Sequence, residues 1–175
     1  MNTTTLTLHP GFLARRTWLD WGFALLALVG TLVCFGLYHA AMDGYEKAIL
    51  VGTLPAVIWL GWFWAPLRNL MLVVAAVSLL AIQSYGGDLA RAEQVFWLKY
   101  FISSQSAILW MSMLFFISTV FYWAGMFIKG QGDAMELLGT RMAWVAVTMA
   151  LVGTMVRWYE SHQIGPDIGH IPVSN

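Results

Sequence analysis

The chain has 175 residues, 59% of them hydrophobic and 10% charged, with nine cationic side chains against nine anionic ones. Soluble domains carry roughly 25% charge, so a soluble globular protein is excluded, and zero net charge gives no electrostatic footprint for nucleic acid. The single cysteine, Cys34, excludes an intrachain disulfide, a Cys-x-x-Cys zinc half-site and a Cys-x-x-Cys-His heme attachment within this sequence.

Apolar stretches of about bilayer length then follow one another, each compared with the roughly 20 residues that a spanning helix needs. The first runs from Leu19 to Tyr38, preceded by Arg15 and Arg16 and opened by Trp18 and Trp21. It is too long for the apolar core of a typical signal peptide, and its aromatic ends match interfacial anchoring, so it reads as a retained span. The second (Ile49 to Trp64) and third (Leu67 to Ile82) form a helical hairpin turning on Ala65-Pro66-Leu67-Arg68, with Pro55 expected to kink the second. Residues 86–102 are amphipathic, with Leu89, Ala92, Val95, Phe96 and Ile102 at helical spacing, and are expected to lie on the membrane surface. Ser103 to Ser106 form a polar step suited to bonding between helices. The fourth span, Ala107 to Phe127, is the cleanest. The fifth, Met142 to Val156, carries a small-residue stripe of Ala146, Ala150 and Thr154 that favours close helix approach.

The expected fold is therefore all-α, a polytopic membrane protein with about five transmembrane helices. Residues 1–17 form a cytoplasmic segment, 18–158 the five-helix region with 86–102 as an external amphipathic part, and 159–175 an external segment. Orientation rests on Lys and Arg in the short loops. With the amino terminus inside, Arg15, Arg16, Arg68, Lys129 and Arg141 fall inside, against Lys47, Arg91, Lys99 and Arg157 outside. Arg68 stands in its turn without an acid, whereas Asp43, Glu46, Asp88, Glu93, Glu160 and Asp167 fall outside.

The segment from Arg157 to Asn175 holds the candidate functional residues. Gly169 permits an unusual turn, and Pro172 fixes its own φ and extends Ile171, which would present His170 on a defined loop. Arg157 closes the fifth span where a guanidinium either snorkels to water or pairs with a carboxylate such as a heme propionate. No histidine lies inside a span, which argues against an electron-transfer cytochrome b. Met111, Met113, Met149 and Met155 read as packing. No metal site is indicated.

Arg157-Trp158 followed by Gly169-His170-Ile171-Pro172-Val173-Ser174-Asn175 resembles the cytochrome c biogenesis membrane proteins of the CcsA/ResC type, often labelled CcsB in proteobacteria. The stretches Thr17 to Trp21, Tyr45 to Leu50 and Leu98 to Ala107 are similar to the bacterial branch as well. The resemblance implies a part in system II cytochrome c maturation, in which heme crosses the bacterial inner membrane and is joined to apocytochrome c outside, with a ResB-type partner. It implies heme as the cofactor and His170, Arg157 and Trp158 as contacts to heme or partner, with Gly169, Pro172, Ser174 and Asn175 shaping the loop. The family's Trp-rich heme-handling loop follows the Ser-Asn motif, so these residues read as the amino-terminal portion, expected to hold no heme and to be inactive alone. The competing expectation is a non-enzymatic scaffold or an anchor subunit of a respiratory complex.

Overall fold

The computed structural model describes residues 12–40, 42–128, 130 and 132–165. Among them there is no strand, and five helices are long and apolar enough to cross a membrane. The protein is an all-α, multi-pass membrane protein.

Helix α1, Trp18–Tyr38, starts at a reciprocal cap: Thr17 Oγ1 accepts the Asp20 N–H at 3.3 Å, and Asp20 Oδ2 accepts the Thr17 N–H at 2.8 Å. The same device opens α2, Gly44–Phe63, where Asp43 accepts from Glu46 N–H at 2.7 Å and Glu46 accepts from Asp43 N–H at 3.0 Å. This cap starts α2 five residues before Ile49, because polar side chains satisfy the first turn where hydropathy shows nothing. Pro55 lies inside α2 without ending it. The hairpin turns on Trp64, an extended residue, and α3 (Ala65–Tyr85) already includes the predicted turn residues. Pro66 is tolerated there because a first-turn residue has no intrahelical use for its N–H.

Gly86, at φ +57, follows the last residue of α3 in the left-handed conformation that closes helices. The predicted amphipathic segment breaks into α4 (Arg91–Gln94) and a π-helical turn, Leu98–Ile102. Leu98 and Ile102 are buried with Ala81, Tyr85, Val152 and Val156, and Leu89, Ala92 and Val95 pack against them. Phe96 is exposed, because the helix is interrupted just before it. Helix α5 is Ser104–Phe127 and α6 is Gly132–Ile164. At 33 residues, α6 is about 50 Å long, so its apolar middle is only part of it. The helix continues past Trp158 to Ile164, so the first residues of the segment expected outside the membrane are still helical.

The chain divides into two compact units, up to Asn69 and from Leu70. In the first, α1 packs on α2, and the Phe23 ring lies so close to Gly61 that no side chain fits there. In the second, α5 and α6 form an antiparallel hairpin in which α6 presents Gly132, Gly139, Ala146 and Gly153, every seventh residue. That period keeps one stripe against a partner helix. A Cβ on Gly139 would meet the Tyr122 ring at 3.1 Å, and one on Gly153 would meet Ile108 Cγ1 at 3.2 Å and Ala107 Cβ at 3.3 Å. Ser118 Oγ donates across the seam to the Gly139 carbonyl at 2.7 Å. The stripe is thus not the predicted Ala146, Ala150 and Thr154. Thr154 is exposed and bonds back to the Ala150 carbonyl.

Outward faces carry Leu25, Leu26, Leu32, Leu79 and Phe116, all exposed, as expected where the surrounding medium is acyl chain. Trp18, Trp64 and Trp97 are exposed at or beside helix ends, where amphipathic rings favour the bilayer interface.

Candidate functional site

Two polar clusters stand at the ends of these apolar helices, one in each unit. In the first unit Arg68 forms an ion pair with Asp20, both side chains buried. The Trp62 indole N–H donates to the Asp20 carbonyl at 2.8 Å, and Arg16 Nη1 donates to the Trp62 carbonyl at 2.6 Å with its guanidinium over the Trp62 ring. Asp20 therefore caps its own helix and holds the first turn of α3. Arg68, expected to stand in its turn without an acid, has one, supplied from 48 residues earlier in the chain.

The second cluster centres on Glu160, in the next-to-last turn of α6. Its Oε1 accepts the Tyr85 hydroxyl at 2.5 Å and the Ser104 backbone N–H at 3.2 Å, and its Oε2 accepts the Ser104 hydroxyl at 2.5 Å. One carboxylate thus joins the end of α3, the start of α5 and the end of α6. Ser104 is the first residue of α5, so Glu160 places negative charge at the positive end of that helix's dipole. Arg157, one turn earlier, lies 3.8 Å from Oε2.

Beside Glu160 a half-open cleft of about 280 Å³ lies between residues 85–106 and the end of α6. Leu89, Ala92 and Ile164 supply apolar wall. Lys99, Ser103, Gln105 and Arg157 supply hydrogen-bond donors. The polar step Ser103 to Ser106 does two jobs: Ser104 bonds to α6, and Ser103 Oγ accepts the Ser106 N–H at 3.4 Å as the cap of α5.

Of the residues singled out from sequence, Arg157 lines this cleft and Trp158 is exposed. Gly169, His170, Pro172, Ser174 and Asn175 lie outside the described residues. His39 and His162 are exposed at helix ends, and His39 bonds the Gly36 carbonyl at 3.2 Å. Sequence reasoning missed Glu160, Tyr85 and Asp20 as organising residues. The capping spacing Thr17-x-x-Asp20 was a visible signal for Asp20, but nothing local marked Glu160, whose partners lie 56 and 75 residues away.

The described residues of the cleft supply no axial ligand for heme iron. Among the described residues no histidine, cysteine or methionine lines it, and the one phenol among them, Tyr85, donates its proton to Glu160. Among the described residues no three histidine, cysteine, aspartate or glutamate side chains group as a metal site. Compared with family models, curated proteins and solved structures, the chain matches none.

Proposed function

We propose that this chain works in system II cytochrome c maturation as a membrane component of the CcsA/ResC type. Its place would be a bacterial inner membrane, with a cytoplasmic amino terminus, a ResB-type partner and apocytochrome c as the protein served. One observation supports this best. Two separate stretches that carry the resemblance, residues 98–107 and Arg157-Trp158, meet at one end of the helices: Ser104 bonds Glu160, three residues past Arg157, and members of both line one cleft. Their meeting supports reading the two stretches together as parts of one site.

In this reading the helices are the anchor, and the Glu160 cluster ties down the end of α6, after which the sequence runs on to Gly169-His170-Ile171-Pro172. Heme, when handled by the parent machinery, supplies the iron porphyrin that becomes bonded to apocytochrome thiols. The contribution of this chain's described residues would be placement.

Disruption of the gene tests the reading. Membranes should lose heme that survives denaturing electrophoresis while keeping the absorbance of b-type cytochromes. His170→Ala and Pro172→Ala in the same gene should lower covalent heme without changing the membrane level of the protein, and His162→Ala should not. Normal holocytochrome c after disruption would leave the scaffold or respiratory-anchor reading in its place.

A further inference from the structure

The cleft beside Glu160 has a sign, and hydrogen-bond capacity decides it. Formally it is balanced, with Lys99 and Arg157 against Glu93 and Glu160. Glu160, however, is spent: a carboxylate offers about four acceptor sites, and three hydrogen bonds and the Arg157 contact already use them. Glu93 is largely outside, with 79% of its side chain exposed. The donors are far less committed. A guanidinium has five N–H groups, and among the described residues Arg157 meets only Glu160, at 3.8 Å. Lys99 meets Glu93 at 3.2 Å and has further N–H groups to offer. Among the described residues the Gln105 side chain makes no hydrogen bond and the Ser103 hydroxyl is used only as an acceptor.

Depth then sets the kind of molecule. The cleft lies at the ends of three apolar helices, under the residue 91–102 segment. That segment exposes Phe96, Trp97 and Tyr100, the ring types that settle at headgroup level. Phe101 stacks on Trp110 at 5.8 Å, and the Trp110 indole donates to the Tyr100 carbonyl at 2.7 Å, so the aromatic shelf is held to α5.

We propose that this cleft binds the phosphodiester headgroup of an anionic phospholipid, with Arg157 as the bidentate partner and Lys99, Ser103 and Gln105 as the remaining donors. The acyl chains would run down the exposed apolar faces of the helices. The proposal is independent of the cytochrome reading, since it requires only the cleft and its depth.

Native mass spectrometry of the full purified chain tests it, with phosphatidylglycerol as the probe, diacylglycerol of the same acyl chains as the phosphate-free control, and glycerol 1-phosphate as the soluble competitor. One phosphatidylglycerol should be retained per chain, and diacylglycerol should not. Arg157→Gln should weaken retention about tenfold, the size of one charge-assisted hydrogen bond. Arg157→Lys should weaken it less, and Arg141→Gln, at the other end of the same helix, should leave it unchanged. Equal retention of diacylglycerol, or an equal effect of Arg141→Gln, would overturn the proposal. So would an unchanged affinity in an Arg157→Gln protein that circular dichroism shows to be as helical as the parent. Displacement of the lipid by millimolar glycerol 1-phosphate would assign the cleft to a soluble phosphate and overturn the lipid as its occupant.

Discussion

Glu160 accepts the backbone N–H of Ser104 at 3.2 Å, so the first turn of α5 is capped by a carboxylate 56 residues further along the chain. A local N-cap secures only its own helix. This one secures a helix to another, and through the Tyr85 hydroxyl to a third.

Replacement of Glu160 by Ala leaves the Ser104 N–H, the Ser104 hydroxyl and the Tyr85 hydroxyl without their acceptor. Unsatisfied groups of this kind cost about 1–3 kcal/mol each, less where water or relaxation reaches them. Glu160→Ala should therefore destabilise by about 3 kcal/mol and Tyr85→Phe by about 1 kcal/mol, with Glu160→Gln between them. Unfolding midpoints in a mild detergent would check the order, and a Tyr85→Phe loss equal to that of Glu160→Ala would contradict it.

The seam between α5 and α6 predicts a contrast among glycines. Gly153→Ala puts a methyl 3.2 Å from Ile108 and 3.3 Å from Ala107, tighter than side chains comfortably pack. Overpacking costs about 1–3 kcal/mol, and Gly153→Leu should separate the helices outright. Gly30→Ala in α1 meets nothing within 4 Å and should be neutral or stabilising by up to about 1 kcal/mol. Thermal scans of the variants side by side would decide it.

The Asp20 and Arg68 pair should show the asymmetry of buried charges. Asp20→Asn or Arg68→Gln alone leaves one buried charge without its partner, at about 3–5 kcal/mol. The double variant should cost less than the sum of the two. A double-mutant cycle that comes out additive would mean that the two side chains do not depend on each other.

The proposed cytoplasmic amino terminus, with five spans, predicts where reporters work. Alkaline phosphatase joined after Asn175 should be active and, joined after Lys129, inactive. The opposite pattern would invert the orientation, and activity at both points would refute five crossings.

Hydropathy made the five helices legible, because lipid demands apolar residues over a fixed length. It misplaced their ends, and the reason differs from end to end. Helix α2 begins early because Asp43 and Glu46 cap it, a four-residue pattern that hydropathy averages away. Helix α6 outlasts its apolar run at both ends, since nothing in leaving the membrane breaks a helix. The small-residue stripe was assigned a four-residue period where the folded seam uses seven, and single-helix sequence holds both periods at Ala146. Arg157 was legible as a membrane-edge cation. Its neighbour Glu160 was not, because a carboxylate becomes a hub only through residues that the chain brings back from far away.

Glu160 is also the next member of the row Gly132, Gly139, Ala146 and Gly153. A seam of small residues at constant spacing resembles an evenly toothed rack: slid by one repeat, about 10 Å along the axis, it would meet much the same surface. The last tooth differs, and next to Gly139 the Tyr122 hydroxyl meets Thr140 Oγ1 at 2.8 Å in this alignment alone. Because the carboxylate has matching donors in one alignment, it adds to the choice among settings that the small residues alone leave open, in the way a single buried polar side chain selects register in paired helices. The residue that ties three helix ends together therefore also helps tell the final hairpin which of its repeats to stop at.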